Sequence, residues 1–145
     1  MEIVWPNNTK EVIDAIRLTV GREVEFRYLA DVVSCSGCSL DAVTNTSDDS
    51  FCPICSGLYW IESISGYSVN AMISWSPSDR PEWESGGVLA QGDCIIQVEL
   101  DDTIEDIISK TKTVIVDNRT MEIKKQMRRG VKNLNRILIS LIEKE

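Results

Sequence analysis

Two Cys-x2-Cys pairs, Cys35/Cys38 and Cys52/Cys55, stand thirteen residues apart in a 145-residue chain without histidine. Two sulfurs at this spacing can be aimed by one tight turn at a single point, and two such turns complete a tetrahedron of thiolates. Gly37 and Gly57 ease the turns. The intervening SLDAVTNTSDDSF has too few apolar groups to order itself by burial, so a metal cross-link has an evident purpose. The spacing predicts a Zn2+ held by Cys35, Cys38, Cys52 and Cys55; a mononuclear iron site uses the same ligand type. Four thiolates close the shell and leave no position for a reacting water, which makes the predicted site structural. Two disulfides would use the same cysteines but need an oxidising compartment. A redox dithiol generally sits on a thioredoxin-like βαβ frame, which is not visible in this sequence.

Around that insertion the pattern is that of strands. Val24, Phe26 and Tyr28 alternate with Glu23, Glu25 and Arg27; Val69, Ala71, Ile73 and Trp75 form a second set, and Cys94, Ile96, Val98 and Leu100 a third. Cys94 thus reads as a small buried hydrophobe. KTVIVDNRTMEIKKQM predicts a hairpin turning at Asp117 to Arg119, SISGYS a second turn at Gly66 between strands through Trp60 and Trp75, and NRILISLIEK a closing strand. Two short helices are expected. One begins at Asn8 or Thr9, carries Val12, Ile13, Ile16 and Val20 at helical spacing and stops at Gly21; the other is DDTIEDIISK, with acidic residues in its first turn and a lysine near its end. The expected fold is mainly β, a small twisted barrel or sheet with two short helices. A chain of this length suits one domain, 1–145, with residues 33–58 as an insertion like a zinc ribbon, whose knuckles CPICSG resembles.

Charge and composition narrow the function. The formal net charge is −8. Residues 1–118 hold 20 acidic and 7 basic side chains, whereas 119–145 hold 3 acidic and 8 basic. An acidic body disfavours non-specific nucleic-acid binding, while a basic end leaves room for an acidic partner. No apolar run approaches the roughly 20 residues that cross a bilayer, and the first residues do not read as a secretion signal, so a soluble protein folded in a reducing cytoplasm is expected. Without histidine, a phosphate-binding glycine loop or a committed carboxylate pair, the sequence argues against an enzyme; Asp48-Asp49 and Asp101-Asp102 read as solvation and capping.

Two segments look made for contact. Residues 76–92 form a long connection with two prolines, three glycines and Trp83, which reads either as a docking loop or as a loop pinned to the core by its tryptophan. Lys124, Lys125, Arg128 and Arg129 would contact DNA or an acidic protein rim, or else protect an edge strand from aggregation. Plain alternation puts Glu122, Lys124, Gln126 and Arg128 on one face and Ile123 and Met127 on the other.

The order of these features resembles a group of small neck proteins of tailed bacteriophages, similar to head-closure or head-completion proteins. The residues that carry the resemblance are GREVEF, the four-cysteine insertion ending in CPICSGLYW, GGVLAQGDCIIQVE, TVIVDNRTMEIKK and RRGVKNLNRILISLIEKE. It implies a small β-barrel made in the host cytoplasm and placed in the virion neck. Copies would form a ring between the portal or adaptor and the tail-side neck proteins, close the DNA-filled head and surround a channel that holds DNA, without contacting a membrane. The competing reading is a regulatory zinc-ribbon module that binds nucleic acid or protein. That reading calls for basic residues around the metal loop, and none occurs between residues 31 and 62.

Overall fold

Strands that alternate inward and outward side chains can bury one face completely only if the sheet has no edges, and here it closes on itself. The computed structural model describes residues 8–75, 83–84, 87–88, 93–131 and 134–144. In chain order the elements are α1 (Thr9–Val20), β1 (Arg22–Ser34), β2 (Leu40–Asp41), β3 (Thr46–Ser47), β4 (Trp60–Trp75), β5 (Trp83–Glu84), β6 (Gly87–Val88), β7 (Cys94–Glu99), α2 (Asp102–Lys110), β8 (Thr111–Val116), β9 (Arg119–Val131) and β10 (Leu134–Glu143). Six strands form a closed antiparallel barrel in the order β1-β4-β7-β10-β9-β8, while β2-β3 and β5-β6 are separate two-stranded hairpins. The inward set includes Val24, Phe26, Ala71, Ile96, Val98 and Ile139, all fully buried. Cys94 lies among them, as expected of a small apolar side chain, and burial with Asp117 and Asp93 nearby pushes its thiol up to about 12.

The turn between β8 and β9 falls where the sequence places it. Asp117 and Asn118 both have positive φ, 48° and 64°, the conformation whose twist matches a two-residue hairpin. The Asp101 carboxylate accepts a hydrogen bond of 2.7 Å from the Ile104 N–H and starts α2. Because β7 and β8 are not neighbours, α2 must cross the end of the barrel to join them, and its Ile104, Ile107 and Ile108 enter the core.

Three features depart from the sequence expectation. First, α1 buries little of its apolar stripe: Val12, Ile16 and Val20 are exposed, Ile13 is half-buried, and the residue it buries fully is Arg17. The wall beneath presents Asn70 of β4 and Glu99 of β7. Arg17 stands 2.9 Å from Asp14 and 3.8 Å from Glu99, and Lys10 reaches Glu99 at 2.6 Å, so charge seats the helix. Second, Gly66 makes no turn; β4 runs unbroken from Trp60 to Trp75. Gly66 pairs with Arg27, and a Cβ there would lie 2.4 Å from Glu25 Oε1, so the glycine makes room for a neighbouring side chain. Third, a bulge skips Lys124: Leu141 pairs with Ile123 but Ser140 pairs with Lys125. Ile139, buried, then faces Gln126, and Ile137 faces Arg128. Cross-strand partners share a face, so Gln126 and Arg128 stand on the inner side and Met127, opposite Leu138, on the outer. Most of the 76–92 connection lies outside the described residues; within it, Trp83 pairs with Val88 and Glu84 with Gly87.

Candidate metal centre

The register of β1 and β4 builds the platform for the cysteines. The last rung from β1 to β8 is at Tyr28 and Thr111, and β4 meets β7 only from Met72 onward. Beyond these points, among the described residues, β1 and β4 pair with each other alone, through Val33 with Ile61 to Ser34 with Trp60. They form a two-stranded arm that leaves the barrel, and residues 35–59 are its tip. The Cys35 N–H donates to the Tyr59 carbonyl at 2.8 Å and closes the base of the tip.

Each knuckle is held by its own backbone. In the first, the Gly37 N–H donates to Cys35 Sγ at 3.4 Å. A Cβ at Gly37 would meet Ile54 Cδ1 at 2.7 Å, so the glycine lets the second knuckle approach. In the second, the Ser56 N–H donates to the Cys52 carbonyl at 2.8 Å and the Leu58 N–H to the Cys55 carbonyl at 3.0 Å. Ser56 and Gly57 reverse the chain with φ of 52° and 84°. The acidic residues between the knuckles serve the loop itself: Asp48 accepts from the Ser39 N–H at 2.9 Å and Asp49 from the Phe51 N–H at 3.0 Å.

All four sulfurs lie within 4.8 Å of one another, with Cys35 to Cys52 at 3.8 Å and Cys38 to Cys55 at 3.5 Å. A tetrahedral site with metal–sulfur bonds of about 2.3 Å separates its sulfurs by roughly 3.8 Å, whereas a disulfide bond is about 2.05 Å. The arrangement fits a four-thiolate metal site, and Cys35, Cys38, Cys52 and Cys55 could hold an ion. Cys35, Cys52 and Cys55 are buried, and Cys38 and Tyr59 pack against them in a small core separate from that of the barrel.

The sulfurs also share protons unequally. The Ser47 hydroxyl favours ionisation of Cys38, but burial and the thiols of Cys35, Cys55 and Cys52 outweigh it and push Cys38 up to about 12. Burial opposes the charge of Cys55, yet the Tyr59 N–H, the thiols of Cys38 and Cys52 and the Gly57 N–H hold it down to about 6. A cation bound by four thiolates displaces whatever protons these sulfurs hold, so binding depends on pH.

The predicted contact residues do not join this cluster. Lys124, Lys125, Arg128 and Arg129 lie on β9, where Arg128 pairs with Glu105 of α2, and the backbone of Trp83 lies in the β5-β6 hairpin. What sequence reasoning missed is the apolar surface around the cysteines: Val43 is 93% exposed and Phe51 92%. The only signal in the sequence is a stretch without lysine or arginine from residue 28 to 79 that nevertheless keeps its apolar side chains. The chain matches no protein-family model and no curated protein. No helix among the described residues is long and apolar enough to cross a membrane.

Proposed function

We propose that this chain is a structural protein of a tailed-phage neck. Its copies form a ring between the portal or adaptor and the tail, help close the DNA-filled head, and keep a structural Zn2+ in the arm of each copy. The observation that carries this reading is a closed barrel extended by an arm whose tip is set by four cysteines and whose apolar side chains face solvent. A ring subunit works through surfaces that are covered on assembly, and an exposed apolar tip suits that use. Four thiolates on one ion leave no open ligand position, which supports a structural and not a catalytic role. The groove of about 340 Å3 under α1 supports it too, because its carboxylates, Asp14 and Glu99, are engaged by Arg17 and Lys10.

Zinc is the reading for the ion because an all-sulfur tetrahedron suits it and its lack of redox chemistry suits a staple. Native mass spectrometry of the intact protein reads the metal directly, and an iron adduct would replace zinc in this account. Tryptic mass spectrometry of purified virions of the source phage tests the placement in the neck: peptides of this chain are expected, and their absence overturns it. Salt-dependent binding of duplex DNA by the isolated protein would instead favour a zinc-ribbon nucleic-acid module.

A further inference from the structure

Among the described residues, every exposed large apolar side chain lies either on α1 or between residues 32 and 64. The second group covers both the arm and its tip. On the arm, Val33 faces Ile61 across the strands, while Val32, Trp60 and Ile64 point to the opposite face. A two-stranded ribbon has no second layer of its own, so its apolar faces call for packing against another element. This surface is also acidic: the arm and its tip carry Asp31, Asp41, Asp48 and Asp49 and no basic residue of their own, while Glu62 is paired with Lys112 of β8 at 2.9 Å.

A second surface has the opposite character. The last rung from β9 to β8 is at Met121 and Val114, so residues 122–131 of β9 are, among the described residues, paired on one side only, by β10. Since β1 and β9 both run antiparallel to β8, they are parallel to each other, and both continue past the start of β8 at the end crossed by α2. The arm therefore leaves the barrel at the end where β9 outruns β8, while β10 stays paired with β7 as far as Arg136, opposite Arg129. The outward face of the hairpin carries Met127 and Arg129 opposite Leu138 and Arg136, Ser140 opposite Lys125 is buried, and Lys124 stands exposed at the bulge. Cations flanking an apolar pair complement an apolar surface rimmed by carboxylates.

We infer that the cysteine-tipped arm of one copy docks on the β9–β10 hairpin of a second copy. The inference rests on the ring reading and names its contact. Two different patches meet, so a pair of copies keeps one unused arm and one unused hairpin, and the chain of contacts closes into a ring when the rotation permits. Val43 and Phe51 act as anchors, and Lys124 and Arg129 hold the acidic rim.

The test uses two variants of the full chain changed only at exposed positions: V43S with F51S on the tip, and K124E with R129E on the hairpin. Native mass spectrometry and sedimentation are run at roughly 100 µM, where interfaces of ordinary size associate. The wild-type protein is expected to assemble, and each variant alone to associate at least tenfold more weakly. An equal mixture retains one working contact, the tip of the K124E/R129E chain on the hairpin of the V43S/F51S chain. It should form one-to-one pairs and nothing larger. If either variant assembles like the wild type, or the mixture builds larger species, the arm–hairpin contact is overturned while the ring stands. If the wild-type protein stays monomeric, a second copy is not the partner of the arm, and the virion measurement still decides the neck reading separately.

Discussion

Removing the metal from the loaded protein should melt residues 35–59 and leave the barrel folded. The tip has its own core, made of the cysteines and Tyr59, and its larger apolar side chains, Leu40, Val43, Phe51, Ile54 and Leu58, are all exposed. Little apolar burial remains to offset the entropy of ordering the segment once the ion is gone. Binding to four thiolates contributes about 10 kcal/mol or more, comparable to the whole unfolding free energy of a domain, about 5–15 kcal/mol. Loaded, the tip should open only when the barrel does; stripped, it should open almost freely. The difference is at least about 4 kcal/mol, a thousandfold in amide exchange. Hydrogen exchange read by mass spectrometry with and without a chelator measures it. The N–H groups of Cys35, Ser47, Asp48, Ser56 and Leu58, bonded within the tip, should lose protection. Peptides of β7 and β10 should not change. A stripped tip that stays protected would show that hydrogen bonds suffice to hold it, and a barrel that melts with it would show that the two cores are one cooperative unit.

Two further outcomes follow from the same contacts. Gly57→Ala should cost about 1–3 kcal/mol, because φ is +84° and the new Cβ would lie 2.9 Å from the Ser50 carbonyl oxygen. Gly66→Ala should cost less than about 1 kcal/mol, because its close neighbour is the free end of the Glu25 side chain; urea melts that reverse this order would refute the geometry. The Cys94 thiol is raised from 9.0 to about 12, so its neutral form favours the fold. That contribution is complete below pH 9 and is lost as pH rises through 12, with about 2–3 kcal/mol gone by pH 11. Cys94→Ala should flatten this part of the alkaline stability curve, and an unchanged slope would show that the thiol does not titrate there.

The cysteine site and the strand pattern were legible because each rests on local spacing. Four cysteines at knuckle intervals end up within 4.8 Å, and the period-two runs through Val24, Ala71, Ile96 and Val114 become the inner wall of the barrel. What escaped depends on neighbours distant in sequence. Gly66 reads as a turn until Glu25 is known to lie beside it, and nothing local announces that the pairing of β9 with β10 will skip Lys124. The face that α1 buries is set by Asn70 and Glu99, far along the chain, and so a cation at position 17 displaced the apolar stripe that periodicity favours.

The Lys124 bulge shows how such a long-range detail reaches function. Without it, strict alternation from Ile123 would turn Met127 inward and both Gln126 and Arg128 outward. With it, Arg128 turns toward the barrel end and pairs with Glu105 on α2, which ties β9 to the helix that covers that end. Met127 moves outward opposite Leu138, between Lys125 and Arg129. One unpaired residue thus converts a strand whose outward face would be polar throughout into one with an apolar centre and a basic rim. The arm offers the complementary pattern, apolar and acidic, at the same end of the barrel. The specificity of the proposed contact therefore resides in a register shift as much as in the identity of the charged residues.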